Sequence, residues 1–416
     1  MEGNQAESFL GERDKLGGGI VPFPTTISGV DFLAVASQGR SKPYISSIGN
    51  LYVFLKDDFF ADRMDVYKAT DPTDSFTEET FLALADTGVL RGIATFQDGD
   101  NIHITTQDDN EVILYHIFSM SSDSFTTSNQ VVTAAVGTDV DAEKAISISL
   151  SEDESEILIF FQADSDNDMG QKERVRRAWK ISGSWTVGAV DGGGAINYFL
   201  GGVVRGEADK FHFGFLANLA DPFIPEHKSA QDVDGTLSAL EEYGDFITGA
   251  NSEDFQLVPG VYYDDDGVER ITLAFHRPAA TAAEFRSSLV EDDGTPAVDS
   301  LITHTGDDEP FFNGQFAVVV LAVDEKTVWG LWSRSNDGQD LWSAKNVDDA
   351  GFTDRNEELD AVTINLVTSN VYQRGSDVVL AIVYLDGTTV KYTEKVLRTI
   401  AAEFLPKKPV RQYLRM

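Results

Sequence analysis

The chain has 416 residues, 42% of them hydrophobic and 11% aromatic, enough material for a large core. Its 69 acidic residues against 32 lysines and arginines leave a formal charge of -37. Such a surface repels phosphate backbones and anionic lipid, which excludes nucleic acid and membrane as partners of the body. Cysteine is absent, which removes disulfides, thiolate metal sites and thiol nucleophiles together.

The opening residues, MEGNQAESFLGERDKLGGG, are polar and carry no apolar stretch of the kind a secretory signal needs. No run approaches the roughly 18 consecutive apolar residues of a membrane helix, so a soluble protein is expected. The acidic balance suits a salty medium in which self-repulsion is screened. Residues 1–28 are read as an N-terminal arm, and 29–399 as the folded body.

A pair of short apolar strands joined by a polar turn then recurs along the chain. The second strand of each pair starts near Leu51, Ile102, Ile157, Phe211, Ile271, Val328 and Val378. These starts lie about 50 to 60 residues apart, close to the period of a four-stranded propeller blade. A third strand with an aromatic follows most pairs, at Tyr67, Tyr115, Trp179, Phe285, Trp342 and Tyr392. A fourth often opens on an aromatic and a threonine: Phe76-Thr77, Phe125-Thr126, Trp185-Thr186 and Phe352-Thr353. Aromatics recurring at one place in a repeat are read as wedges between neighbouring blades. The strands alternate or run fully apolar, and helical spacing is almost absent. The pattern predicts an all-β fold, a β-propeller of about seven four-stranded blades.

Two features stand outside the repeat. Residues 221–254 read as a polar insertion in the fourth unit, with one short helix expected at 237–243. The last unit runs out after its third strand, near Leu397, and a segment around Val30–Ser37 is expected to supply the missing strand and close the ring. Residues 400–416 then form a basic C-terminal tail, in which Lys407, Lys408, Arg411 and Arg415 are candidate partner-binding residues.

The turn of the first unit from Ala69 to Thr77 holds Asp71, Ser75 and Phe76. It resembles the Asp-box of sialidase-like propellers, Ser-x-Asp-x-Gly-x-Thr-Trp, with Ala69 in place of the first Ser and Thr73 in place of the Gly. The turn from Ser119 to Phe125 is one residue shorter, and that from Lys345 to Phe352 keeps little beyond its length and aromatic. In that family the Asp-box is a structural turn away from the active site, so the resemblance implies a fold and not an activity.

Sialidases use an arginine triad, a Tyr–Glu nucleophile pair and an Asp acid/base. Counterparts here would be Arg40 in Arg40-Ser41-Lys42-Pro43, Asp57 or Asp58, Tyr262 or Tyr263 with Glu269, and Arg277 with Arg334. None sits in the family's local pattern, and surface ion pairing accounts for the arginines equally well. The catalytic residues are therefore left unknown. The six histidines are scattered, and His103, His116 and His212 fall inside strands, where packed histidines are expected.

Asp164, Asp166 and Asp168 alternate on a tight polar loop and are the candidate metal ligands, oxygens that would suit calcium. An exposed acidic turn in an acidic protein is the plain alternative. No other cofactor is expected.

The resemblance extends to propellers of this kind among phage structural proteins. It implies a non-catalytic structural or binding module of a larger assembly, a virus or phage tail, fibre or capsid-associated protein. The partners implied are other protein subunits, with cell-surface glycan as a further ligand, and the location is the virion or an extracellular particle. The alternatives are a sialidase-like glycoside hydrolase and a glycan-binding lectin.

Overall fold

The computed structural model describes residues 21–28, 30–31, 43–57, 62–70, 77–84, 90–108, 112–132, 146–164, 173–190, 197–218 and 223–239. From residue 241 on it describes residues 241–242, 256–263, 269–277, 284–289, 300–303, 316–322, 326–333, 341–347, 352–359, 364–374, 376–386 and 389–399. Among the described residues the strands pair into seven antiparallel sheets, six of four strands and one of five.

The second, third and fourth sheets show the plan. The second consists of Leu90–Asp98, Asn101–Asp108, Ile113–Ser119 and Ser124–Val131. The third consists of Ile146–Leu150, Ile157–Asp164, Glu173–Ile181 and Ser184–Ala189. In the fourth, Asn197–Arg205, Lys210–Asn218 and Phe223–Gln231 are followed by the two-residue strand Glu241–Glu242. Each strand pairs with the next in sequence. The fifth and sixth sheets begin with Gln256–Tyr263 and Phe316–Ala322. The last contains Ile364–Arg374, Asp377–Asp386 and Thr389–Thr399. First strands of successive sheets from the second to the last pack side by side.

Apolar faces of neighbouring sheets meet in continuous seams. Tyr52, Phe54, Met64 and Val66 of the first sheet pack against Ile102, Ile104, Leu114 and Phe118 of the second. Tyr115 faces the third sheet among Ile146, Ile159 and Phe161. Leu158 and Phe160 meet Phe211, Phe213 and Phe215 of the fourth. These fully buried aromatics contribute about 1.5–3 kcal/mol each by leaving water, so the seams are the core. The expected wedges at Tyr115 and Tyr392 are buried, and Trp179 is partly so.

Three boundaries differ from the expectation. The N-terminal strand beside the last sheet is Val21–Ser28, not Val30–Ser37; it pairs with Thr389–Thr399, so the first 28 residues are not all an arm. Pro22 and Pro24 argue against an interior strand, but an outermost strand needs no donor on its free side. A register shift between Pro22 and Thr26 absorbs the irregularity. Val30–Asp31 instead pairs with Lys56 and Asp57 on the strand Leu51–Asp57, whose other end pairs with Tyr44–Ile45. The innermost strand of the first sheet is thus built from two separate segments.

The polar stretch in the fourth unit is not an insertion over most of its described length. Phe223–Gln231 is the third strand, and Glu241–Glu242 pairs with Glu226 and His227. Leu237 forms a bridge to Ala230 where a short helix was expected. The charged residues that suggest a loop, Glu226, His227 and Lys228, are buried. Residues 1–20 and 400–416 lie outside the described residues.

Candidate functional site

Because the strands alternate in direction, the turns joining first to second and third to fourth strands share one end of every sheet. The other connections gather at the opposite end. This places the sialidase counterparts. Tyr263 pairs directly with Glu269, and Tyr262 with Arg270, at the end carrying the first-to-second turns. Arg277 closes the same strand at its far end, opposite Glu284. A nine-residue strand separates Glu269 from Arg277, about 26 Å at 3.3 Å per residue. The Tyr–Glu pair and that arginine therefore do not meet in one site. Asp57 ends its strand at the same end as Arg277.

Asp164 is the last residue of its strand and pairs with Glu173. Arg40, Asp58, Asp166, Asp168, Arg334 and the tail residues Lys407, Lys408, Arg411 and Arg415 lie outside the described residues. So does the turn from Asp71 to Phe76. Among the described residues, no group of three or more His, Asp or Glu side chains is placed to hold a metal ion. No described helix is long and apolar enough to cross a membrane.

The turn end carries a set of polar contacts that bridge neighbouring sheets. Asp100, in the first-to-second turn of the second sheet, accepts from Ser47 N–H at 2.7 Å and Ser47 Oγ at 2.6 Å. Asp209, in the matching turn of the fourth sheet, accepts from the Glu152 N–H of the third. Asp123 stands in the third-to-fourth turn of the second sheet at φ 50°, the left-handed region that Asp tolerates better than most residues. Its carboxylate takes the Tyr52 hydroxyl at 2.6 Å and Lys68 Nζ at 2.7 Å, both from the first sheet. Burial opposes its charge, but the bonds from Lys68 and Tyr52 prevail and hold the carboxyl below its usual range. Burial and the Asp123 bond push the Tyr52 phenol up to about 12.

The third–fourth seam is built differently. Arg177 is buried and reaches across it, donating to Val233 O at 3.0 Å and Gly235 O at 2.7 Å. Gly235 is required there: a Cβ would lie 1.5 Å from Gln231 O. Lys228 donates back to Val190 O at 2.9 Å. Asp153 and Glu156 of the third sheet lie near Asp209, Asp232 and Asp234 of the fourth, with Asp234 favouring the charge of Arg177. Partial burial, then repulsion from Asp234, Asp153, Asp232 and Asp209, pushes the Glu156 carboxyl up.

The histidines inside strands are packed, as their positions predict. His103 Nδ1 lies 2.6 Å from the Tyr115 hydroxyl, and burial pushes its imidazole down to about 4. His212 Nδ1 and His227 Nε2 are 3.1 Å apart with their rings stacked. At the second–third seam Lys180 donates to Gln130 Oε1 at 2.8 Å and lies over Tyr115 and Trp185. The bridging carboxylates Asp100 and Asp209 were missed in the sequence, although both stand in turns at corresponding places of their units.

No protein-family model and no curated protein matches the chain. Solved structures do. The Dos1 propeller is 12% identical over 92% of this chain and 99% of its own, with a TM-score of 0.50. Aleuria aurantia lectin with alpha-methyl-L-fucoside is 11% identical over 80% of this chain and 97% of its own, TM-score 0.48. Trypanosoma rangeli sialidase with the inhibitor DANA is 9% identical over 90% of this chain and 59% of its own, TM-score 0.46. At these identities the likeness is one of fold. The chain is an all-β protein of four-stranded antiparallel sheets, similar in fold to β-propellers.

Proposed function

We propose that the chain is a closed seven-bladed propeller serving as a non-catalytic binding and structural module of a larger assembly, a virus or phage particle. The observation that carries the non-catalytic part is the separation of Tyr263–Glu269 from Arg277 along one strand. Pairing of Val21–Ser28 with Thr389–Thr399 supports closure, because the last sheet draws its outermost strand from a segment that precedes the first sheet in sequence. The assembly role rests on the resemblance to phage propellers and on the charge contrast between an acidic body and a basic tail. In this reading Lys407, Lys408, Arg411 and Arg415 dock on an acidic neighbouring subunit, and cell-surface glycan is the further ligand. Asp164, Asp166 and Asp168 are offered as a calcium loop, to be tested by calcium titration with calorimetry.

Sedimentation from the native source, followed by negative-stain imaging, tests the assembly. Recovery in a large regular particle is expected. A free 45.5 kDa chain that turns over a glycan, with turnover abolished by one carboxylate substitution, would overturn the proposal in favour of a glycoside hydrolase.

A further inference from the structure

His116 sits on the third strand of the second sheet, fully buried and facing the first sheet. Its ring is bonded at both nitrogens. The Asn129 N–H donates to Nδ1 at 2.9 Å, so Nδ1 carries no proton. The proton is therefore on Nε2, which lies 2.9 Å from Thr106 Oγ1 and donates to it. Asn129 belongs to the outermost strand and lies at φ 53°, within an irregular stretch of the pairing between Thr127 and Gln130. Its side chain continues outward, donating from Nδ2 to Ala83 O in the outermost strand of the first sheet at 3.1 Å. One imidazole nitrogen thus holds a strand irregularity whose residue also ties two sheets together.

We propose that His116 is an acid-sensitive latch: its bare Nδ1 fastens the outer strand of the second sheet, and through Asn129 that of the first, and protonation releases both. An imidazolium has a donor at each nitrogen, so a protonated His116 would turn an N–H toward the Asn129 N–H. The surroundings offer little compensation. The first sheet presents Met64, Val66 and Leu82 across the seam, and its charged Lys68 is paired with Asp123 at the turn end. Tyr52, also at that end, holds its proton to high pH. On the same face of the second sheet Asp108 stands near the opposite end of its strand, accepting from the Val112 N–H. Burial pushes the imidazole down to about 3. A freed histidine titrates near 6.5, so acid favours the released form by linkage.

The test is amide hydrogen exchange on the full chain, each rate divided by its intrinsic rate at the same pH. Protection at Asn129 and its neighbours on Ser124–Val131 is expected to fall by on the order of a hundredfold between pH 7 and pH 4. Parent and variant are both compared in a His103→Gln background, which removes the acid response of the other buried histidine of this sheet, and protection on Asn101–Asp108 should then hold. In His116→Asn, whose side-chain oxygen can still accept from Asn129 and cannot titrate, the outer strand should stay protected across that range. Unchanged protection in the parent at pH 4, or an equal loss in the variant, overturns the latch. The imidazole ¹⁵N shifts of the parent give a check that needs no variant. A bare Nδ1 and protonated Nε2 at pH 7 are expected, and a protonated Nδ1 would overturn the assignment.

Discussion

Gln97 and Arg205 stand at the same place in the second and fourth sheets, each opposite the second residue of its partner strand. Each donates to the main-chain carbonyl that closes the first strand of the preceding sheet: Gln97 to Ile45 O at 2.8 Å, Arg205 to Leu150 O at 3.1 Å. The carboxylates Asp100 and Asp209 likewise occupy matching turns. One geometry therefore serves both seams, but with different charge. The first–second seam sets Lys68 against Asp123, holds Asp100 on the neutral donors of Ser47 and has a neutral amide at Gln97. In the third–fourth seam buried Arg205 lies 3.8 Å from Asp209 and buried Arg177 is acted on by Asp234, beside a carboxylate cluster centred on Glu156. The comparison teaches that the repeat fixes where neighbouring sheets are joined, and that local sequence decides whether the joint depends on salt.

The largest test of that contrast is Arg177→Ala. It strands the carbonyls of buried Val233 and half-buried Gly235 and removes the guanidinium that lies over Trp179, so a loss of about 3 kcal/mol is expected in denaturant unfolding. Tyr52→Phe removes only a hydroxyl from the other seam and should cost about 1 kcal/mol. Equal costs would erase the distinction drawn here.

Acid supplies a second lever of similar size on the seam between these two. His103 is held neutral by burial, with Glu154 favouring its charge and Lys180 opposing it. Its folded-state value near 4 is below the unfolded value near 6.5, so the unfolded chain binds the proton first. Stability is full above about pH 6.5 and falls by about 3 kcal/mol as the pH drops toward 4. His103→Gln should flatten that part of a pH–stability curve; a curve of unchanged slope would exclude His103 as its source.

The smallest expected effect is also the most diagnostic. Glu156→Gln removes one of the mutually repelling carboxylates, so it should stabilise the protein by a few tenths of a kcal/mol at low salt. The gain should vanish in concentrated salt. Destabilisation at low salt would mean that Glu156 compensates the arginines instead of crowding its acidic neighbours.

Much of the fold was readable in the sequence because each second strand carries an alternating or continuous apolar run. The expected starts at Leu51 and Ile157 coincide with strand starts, and Ile102, Phe211, Ile271, Val328 and Val378 fall within two residues of theirs. Phe223–Gln231 was not readable, since Pro225 and five charged or polar residues signal a loop. Lys228 is tolerated inside because Val190, 38 residues away, supplies a carbonyl, and His227 because His212 stacks on it. The seam joints were hidden for the same reason. Asp100 and Asp209 look like ordinary turn residues until partners 53 and 57 positions away are brought alongside. Of the candidate catalytic set, the sequence revealed the nearness of Tyr263 and Glu269 but not the end of the strand on which they lie.

The pairing of Val21–Ser28 with Thr389–Thr399 sets a timetable for biosynthesis. Val21–Ser28 must wait for the synthesis of more than 360 further residues before its backbone finds this partner. At 5–20 residues per second that interval is roughly 20 to 70 seconds. Throughout it the segment Val21–Ser28 is open to chaperones or to pairing with a neighbouring nascent chain. Fast, sparsely loaded translation should therefore raise the yield of correctly paired protein.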